Sequence, residues 1–358
     1  MLITRSPVRI SFGGGGTDLA VFYEQYGGAV LSATIDKYFY SILRKREDGF
    51  IQIISSDLRK LEQWKDITEL NVKGTALEIP VAVLRDLQCH LSIDLFLASE
   101  IPPGTGLGSS AAVCVNVMKA VSEYLKLGFS RYELAERAYN IARNVLGNPV
   151  GKQDEYASAF GGLNYVQFQP DGNVKVDPIV LPPELNRELQ SNLMLFFTGS
   201  SHNSWEILQS QESSTRQPSS LAVDALLEIR SLADRMRDVL TRGELERFGE
   251  LLDLGWQAKK RVSSKISNTH IDDLYELARS RGALGGKITG AGGGGFLLLY
   301  VPEPCQQPVR DAFADKGLRE MVFGFDRDGA QVIVNDPFLD TDSKSGVQWD
   351  FVPYEAVP

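Results

Sequence analysis

The chain has 358 residues, of which 43% are hydrophobic, and it carries a formal net charge of −9 at pH 7. This length predicts about two domains, and the composition is sufficient for sizeable hydrophobic cores. The acidic balance argues against nonspecific binding to nucleic acid or to a membrane surface. Three scattered cysteines, three histidines and no apolar run of secretory or membrane-spanning type predict a cytoplasmic protein without disulfides or a histidine metal cluster.

The N-terminal segment, residues 1–12, alternates well enough to form a strand and runs into four consecutive glycines followed by Thr17 and Asp18. Such a turn exposes backbone amides and places a hydroxyl and a carboxylate at the tip of a loop. Asp18 has two interpretations: it caps a helix over residues 19–26, or it accepts hydrogen bonds from substrate hydroxyls. Beyond this turn the pattern predicts β structure over 29–46 and 50–54, loop and short helix over 57–74, and helical content over 75–89.

A strand over 90–97 leads into the glycine-rich stretch Pro102-Pro-Gly-Thr-Gly-Leu-Gly-Ser-Ser-Ala-Ala112, and a helix leads out of it. Glycine lets the backbone approach a ligand closely, and the free amides of a helix start favour an anion. The stretch therefore predicts a loop that cradles a phosphate. The alternative is an ordinary loop in which Ser109 or Ser110 caps the helix. The stretch lacks the lysine of a Walker loop, and its glycines do not have the Rossmann spacing.

Two helices are predicted over 111–127 and 131–146, and glycine and proline then break the chain before Lys152-Gln-Asp154. The small residues after Asp154 suit a short, closely packed helix. Strands are predicted over 163–168 and 174–180, and Pro182-Pro183 is the best candidate for a domain boundary.

The second half of the chain begins with a buried strand over 192–198 and a polar, serine-rich stretch, 209–220, that predicts a mobile loop or a frayed helix end. A second glycine cluster, residues 285–295, runs into an apolar strand rather than a helix, so the Rossmann context fails. The resulting domains are residues 1–182 and 183–335, followed by a surface tail over 336–358. The other predicted elements are helices over 221–240, 244–262, 271–281 and 306–316 and strands over 319–325 and 330–334.

Three motifs resemble, in order and spacing, those of the GHMP kinases, the superfamily of galactokinase, homoserine kinase, mevalonate kinase and phosphomevalonate kinase. They are Ser6-Pro-Val-Arg9 with Gly16-Thr-Asp18, residues 102–112, and Lys287-Ile-Thr-Gly-Ala-Gly-Gly-Gly-Gly-Phe296. The likeness covers residues 1 to about 335. It implies an α+β fold with two domains, a left-handed βαβ crossover in the N-terminal domain, a ferredoxin-like C-terminal domain, and an active site between them.

Within the superfamily, Gly13–Asp18, Leu31–Lys37 and Gly151–Asp154 look most like the D-glycero-D-manno-heptose 7-phosphate kinases. This resemblance implies transfer of phosphate from ATP to the anomeric hydroxyl of a sugar phosphate. One alternative keeps the chemistry but changes the acceptor to a free hexose or an octose phosphate. Another is a non-catalytic sensor of sugar and nucleotide on the same fold. The implied partners are a small sugar phosphate and ATP, and a homodimer is possible.

The resemblance also implies roles for particular residues. Asp154 would orient or take the proton of the acceptor hydroxyl, and Arg9 would lie beside it. Magnesium would be held by the Ser110 hydroxyl, with Ser109 as the alternative. The implied substrate-binding residues are Gly15, Gly16, Thr17, Asp18 and Lys152. The implied ATP-binding residues are Pro103, Gly104, Gly106, Leu107, Gly108, Ser109, Ser110 and Ala111.

Lys152 has a second interpretation, a solvated loop lysine, and two positions depart from the relatives. Many GHMP kinases carry a glutamate twelve residues before the catalytic aspartate as a magnesium ligand, and here that position is Ala142. Sequences like the heptose kinases often have an arginine after a Phe-Thr-Gly-x-Ser string, and here His202 stands there. The first departure concerns the metal site, and the second concerns recognition of the distal phosphate of the sugar.

Overall fold

The computed structural model describes residues 1–199, 204–216 and 221–336. The N-terminal half builds most of one large sheet. Its strands are β1 (Leu2–Gly13), β2 (Gly28–Lys45), β3 (Ile51–Ser55), β4 (Lys60–Trp64), β5 (Ile93–Ser99), β6 (Leu163–Phe168) and β7 (Val174–Pro178). In this sheet β1, β2, β5, β3 and β4 are neighbours in that order. The long strand β2 pairs with β5 through its C-terminal half and with β6 through its N-terminal half.

Helices connect and cover this sheet. Strands β3 and β5 are parallel, and the connection between them passes through β4 and a helix, as a parallel pair requires. The buried Ala, Val and Met side chains of helix α3 (Ser109–Tyr124) pack against β1 and β2, which explains why β1 is buried over most of its length. The helices of this half are α1 (Ala20–Tyr26), α2 (Glu78–Asp86), α3 (Ser109–Tyr124), α4 (Arg131–Asn140) and α5 (Gln153–Phe160).

A smaller antiparallel sheet lies in the C-terminal half. Its strands are β8 (Leu193–Phe197), β9 (Gly285–Ile288) and β10 (Phe296–Tyr300), and β10 lies between the other two. The helices of this half are α6 (Pro183–Ser191), α7 (Ser204–Thr215), α8 (Leu221–Arg242), α9 (Leu245–Lys260), α10 (Thr269–Ser280) and α11 (Glu303–Ala314). The long helices α8 and α9 pack on each other, and α9 packs on β9.

The last strand, β11 (Gln331–Asn335), returns to the large sheet and pairs with β1. The segment 183–335, predicted as a separate domain, therefore contributes a strand to the N-terminal sheet. The two halves also share a core: the rings of Phe12 on β1 and Phe248 on α9 meet edge to face, 5.4 Å apart. This continuity holds the N-terminal glycine turn against the C-terminal helices.

Most predicted elements are present, and several details differ. The polar stretch predicted as a mobile loop or frayed end is helical as far as Thr215, because Ile207 and Gln211 are buried on one side of α7. The predicted strand over 319–325 is reduced to isolated bridges at Glu320 and Phe325. Within the described ranges, no helix is long and apolar enough to cross a membrane. The predicted tail from 337 onward lies outside the described residues.

Candidate active site

One cavity collects residues from both halves of the chain. Its walls come from β1 and the glycine turn after it, from loop 104–108 with the start of α3, and from the chain between residues 141 and 155. Helices α7 and α9, strand β9 and the glycine turn after β9 complete it. The three glycine-rich stretches noticed in the sequence therefore meet at a single site.

The central glycine loop bends tightly under α3. Gly106 and Gly108 have φ values of 81° and 76°, in the left-handed region that favours glycine. A β-carbon on Gly290 would lie 2.5 Å from the α-carbon of Gly106, so the second glycine cluster supports this loop by direct contact. Gly108 occupies the N-cap position of α3, and no side chain caps the helix. The alternative of a serine cap is therefore wrong, and Ser109 and Ser110 instead line the cavity.

The predicted ATP-binding residues do not all reach the cavity. Leu107 is fully buried and acts through its backbone, because its carbonyl accepts the Arg9 N–H at 2.9 Å. Pro103 does not line the cavity either. The predicted residues that do line it are Gly104, Gly106, Gly108, Ser109, Ser110 and Ala111.

Arg9 and Asp154 form an ion pair at the cavity wall, in which two arginine nitrogens contact the same carboxylate oxygen. Arg9 Nε donates to Asp154 Oδ1 at 2.8 Å, and Nη2 lies 2.5 Å from the same oxygen. Arg9 Nη1 also donates to the Gly106 carbonyl at 2.7 Å, which ties the pair to the glycine loop. The Asp154 side chain keeps 28% of its surface exposed, whereas the arginine is buried. The second carboxylate oxygen is thus available to a ligand, with a fixed positive charge beside it.

Asp18 lies next to this pair and is buried. Its carboxylate accepts the Gly16 N–H at 2.8 Å, the Gln153 N–H at 3.2 Å and the Gln153 side-chain amide at 3.1 Å. It does not cap α1, whose N-cap is Leu19, so that alternative is wrong. Burial, followed by the negative charge of Asp154, raises the pKa of the Asp18 carboxyl above its usual value.

Thr17 and Lys152, expected at the substrate, lie outside the cavity lining. The Thr17 hydroxyl donates to the Gly14 carbonyl at 2.7 Å and accepts the Ala29 N–H at 3.1 Å, so it stabilises the glycine turn. Lys152 is neither a ligand contact nor a solvated loop lysine: it is buried and donates to Glu136 at 2.7 Å and to the Gly172 carbonyl at 3.0 Å. Both predictions are corrected because these polar groups already have partners inside the protein.

Four buried polar atoms in the cavity wall have no hydrogen-bond partner among the described residues. They are Ser11 Oγ, Gln153 Oε1, Glu155 Oε2 and Gln211 Nε2. Buried polar groups in proteins are nearly always satisfied, so a cluster of exceptions indicates a site for a polar ligand. Burial, followed by the charge of Asp154, raises the pKa of Glu155 well above its usual value.

Two buried lysines, Lys259 and Lys287, also line the cavity. The sequence placed Lys287 in a motif without a ligand role, and it gave no signal for Lys259 or for Gln211 on α7. Each of these positions lies in an ordinary amphipathic or apolar element. Only the packing of α7, α9 and β9 around the glycine turns brings them together.

Comparisons with known proteins agree with this geometry. The family model of the GHMP kinase N-terminal domain matches residues 72–162, and that of the C-terminal domain matches residues 236–317. A D-glycero-alpha-D-manno-heptose 7-phosphate kinase from Campylobacter jejuni is 33% identical over 332 residues, covering 92% of this chain and 97% of the relative. The chain belongs to the GHMP kinases. The resemblance drawn from the three motifs, and the α+β fold it implied, are confirmed.

Solved structures show the same fold. The crystal structure of a D-glycero-D-manno-heptose 1-phosphate kinase from Bacteriodes thetaiotaomicron superimposes with a TM-score of 0.78 at 29% identity, covering 94% of this chain and all of that one. A Lactococcus lactis galactokinase complexed with galactose superimposes with a TM-score of 0.71 at 20% identity, covering 92% and 94% of the two chains. At that identity the second likeness concerns the fold alone.

Ala142 of this GHMP kinase lines the cavity. It lies in a short π-helix, Ile141–Val145, that continues α4, and the wider turn is shown by the Leu146 N–H, which donates to the Ile141 carbonyl. Insertions of this kind often occur at functional sites.

His202 lies outside the described residues, and Lys37 lies away from the cavity, paired with Asp36.

Proposed function

We propose that this GHMP kinase transfers the γ-phosphoryl group of ATP to the anomeric hydroxyl of D-glycero-D-manno-heptose 7-phosphate, which gives the 1,7-bisphosphate. The observation that carries the proposal is the Arg9–Asp154 pair, which shares one cavity with the glycine loop and the N-terminus of α3. A base and an anion cradle in one cavity are what phosphoryl transfer to a hydroxyl requires.

ATP would bind with its phosphates on loop 104–108 and the first turn of α3. The first amides of a helix have no intrahelical acceptors, and the helix dipole adds positive potential there. Residues Gly104, Gly106, Gly108, Ser109, Ser110 and Ala111 supply this surface. Pro103 and Leu107 would act by shaping the loop.

The acceptor hydroxyl would face Asp154. The carboxylate accepts the proton of the hydroxyl as the oxygen attacks the γ-phosphorus, and ADP leaves with the electron pair of the broken bond. Arg9 holds the carboxylate in place through direct contacts, and its positive charge stabilises the negative charge that grows on the transferred group. Because Arg9 contacts both Asp154 and the Gly106 carbonyl of the glycine loop, it would keep the base and the nucleotide in one relative geometry.

The sugar hydroxyls would satisfy the unpartnered atoms on the other side of the cavity. Asp18 presents a carboxylate, and Gln153 Oε1, Ser11 Oγ and Gln211 Nε2 offer acceptors and a donor. Gly15 and Gly16 line the cavity, and the absence of a side chain on Gly16 leaves room for the Gln211 amide. A mixed set of donors and acceptors around one cavity is typical of a polyhydroxylated ligand.

Magnesium is implied by the family. The residues present fit an ion whose ligands come mainly from the phosphates of the nucleotide and from water. Among the described residues, no group of three or more Asp, Glu, His or Cys side chains could hold a metal by itself. Mg²⁺ needs only one or two protein oxygens besides phosphates and water. The Ser110 hydroxyl would supply one, and the bound ion would neutralise phosphate charge.

The experiment is a turnover screen that measures ADP release with ATP and a panel of acceptors. The panel contains heptose 7-phosphate, free heptose, galactose, L-fucose, an octose phosphate and heptose 1-phosphate, and phosphorus NMR locates the new phosphate. The names of the two heptose kinases differ in the position of the phosphate, so this assignment is the decisive readout. A larger specificity constant for a free sugar, or a product without an anomeric phosphate, would overturn the proposal.

A folded protein that binds sugar and ATP but turns over no acceptor would favour the sensor alternative. Asp154→Asn serves as the control, because that variant keeps the cavity and removes the base. Any ADP release that this variant still shows at the wild-type rate is background that the site does not catalyse.

A further inference from the structure

Two lysines in the cavity wall lack the partners that buried lysines normally have. Lys259, at the end of α9, is 7% exposed, and Lys287, on β9, is 5% exposed. The Lys259 ammonium donates to the Gly290 carbonyl, and the Lys287 ammonium donates to the Ser11 carbonyl at 2.8 Å. An ammonium has three donors. Two donors on each lysine therefore have no protein acceptor among the described residues, and neither lysine forms an ion pair there.

The surrounding charges make this arrangement costly without a ligand. Burial and then Arg9 lower the pKa of Lys259 to about 8, against the partial attraction of Asp18 and Asp154. Burial and then the charge of Lys259 lower the pKa of Lys287 well below its usual value. Two buried cations that repel each other are tolerated where an anion joins them.

Lys152 shows how this chain treats a buried lysine that serves only the structure. It is as buried as Lys287, at 5% exposed, but its ammonium lies 2.7 Å from the Glu136 carboxylate and away from the cavity. The lysines in the cavity therefore differ from it in two respects: they have no carboxylate partner, and they border the site.

We propose that Lys259 and Lys287 form a subsite that binds a phosphoryl group. A phosphoryl group carries up to two negative charges and three acceptor oxygens, which match two ammoniums with two free donors each. This inference rests on the proposed function, which supplies two such groups: the phosphate that the acceptor already carries, and the γ-phosphoryl group of ATP. The carbonyl partner of Lys259, Gly290, packs on Gly106, so this subsite adjoins the end of the ATP loop.

The test measures equilibrium binding, which does not depend on turnover. Isothermal titration gives the dissociation constants of heptose 7-phosphate and heptose, and of the ATP analogue AMP-PNP and ADP, for the wild type, Lys259→Met and Lys287→Met. Each pair of ligands differs by one phosphoryl group. Lys152→Met is the matched control, because it removes a buried lysine outside the cavity. Lys259→Arg and Lys287→Arg test rescue by a retained charge.

For each pair, the ratio of the two dissociation constants measures the affinity gained from one phosphoryl group. We expect this ratio to fall about tenfold or more in the methionine variants, which is the size of a lost charge-assisted hydrogen bond. Loss only in the heptose pair assigns the subsite to the phosphate of the acceptor, and loss only in the nucleotide pair assigns it to the γ-phosphoryl group. Lys152→Met should lower the melting temperature and leave both ratios unchanged.

Unchanged ratios for both pairs in folded methionine variants would overturn the inference and leave the lysines a structural role. Where a methionine variant does not fold, the arginine variant of the same position and the pH dependence of the wild-type ratios decide. Deprotonation of Lys259, whose pKa is lowered to about 8 by burial, should then reduce the phosphoryl contribution as pH rises through 8, and a flat profile would contradict the subsite. If heptose 7-phosphate is not the acceptor and does not bind, the inference can still be tested separately. The ratio of the dissociation constants of ADP and AMP-PNP does not depend on the identity of the sugar.

Discussion

Asp18 occupies the space that a side chain at position 151 would need. A β-carbon on Gly151 would lie 2.0 Å from Asp18 Oδ2, so glycine is required there to keep the carboxylate in the cavity wall. The two residues after Gly151 hold the loop against Asp18: the Lys152 amide donates to the Asp18 carbonyl, and the Gln153 amide donates to its carboxylate. The packing of a loop glycine thus sets the position of a proposed substrate ligand.

Gly151→Ala should displace Asp18 and weaken acceptor binding. We expect the KM of the sugar phosphate to rise about tenfold or more, because hydrogen bonds to a charged group are lost, whereas the affinity for AMP-PNP stays near its wild-type value. Steady-state kinetics and nucleotide titration measure the two effects. Gly255→Ala is the matched control, because its β-carbon would meet only an ordinary contact at 3.6 Å. An unchanged KM in Gly151→Ala would remove Asp18 from sugar recognition.

Asp154→Asn should lower kcat about 10²–10⁴-fold, the usual contribution of a positioned acid–base group. The amide keeps the size of the side chain but cannot take the proton of the acceptor. Binding of AMP-PNP, measured by titration, should change little, because the glycine loop retains its contact with Arg9. Near-normal turnover in the folded variant would exclude Asp154 from the chemistry.

Ala142→Glu should lower the magnesium concentration that gives half-maximal rate. Ala142 lines the cavity from the π-helix, so a carboxylate placed there can reach a nucleotide-borne ion. The measurement is a magnesium titration at saturating ATP and sugar, beside a melting curve. Val145→Glu, in the same helix at an exposed position outside the cavity lining, is the control. An unchanged midpoint with a lowered melting temperature would mean that residue 142 only packs.

Glu155→Gln should change the pH dependence of stability. The pKa of Glu155 is raised in the folded state by burial, so the folded protein binds more protons than the unfolded chain above the unfolded pKa. The free energy of unfolding of the wild type therefore falls as pH rises from about 4.5, and a neutral glutamine removes this part of the slope.

The two proteins should accordingly have similar melting temperatures near pH 4, and the variant should be the more stable one at pH 8. If the melting temperatures of the two proteins instead changed in parallel with pH across this range, Glu155 would have the same charge in the folded and the unfolded state. Glu155 is not among the charges that shift the pKa of Lys259 or Lys287, so the comparison is expected to report on Glu155 rather than on these lysines.

Local signals were sufficient to predict the glycine loop and most helices and strands, whereas the candidate pair Arg9 and Asp154 was implied by the family resemblance. Glycine spacing, proline breaks and apolar periodicity depend on residues that are neighbours along the chain. These signals also carried the family resemblance, which the comparisons confirmed. They could not predict that β11 leaves the C-terminal half to pair with β1, because that pairing joins residues more than 300 positions apart.

Tertiary structure alone decided which polar residues serve the cavity. In the sequence, Thr17 and Lys152 stand inside motifs, yet Ala29 and Glu136 satisfy them in the interior. Lys259 stands in an ordinary amphipathic helix, yet it reaches the site. The physical reason is that a buried polar group is defined by its partner, and partners meet only when distant elements pack. The sequence determined the chemistry available to this protein, and the packing of its helices against the glycine turns decided which groups a ligand can reach.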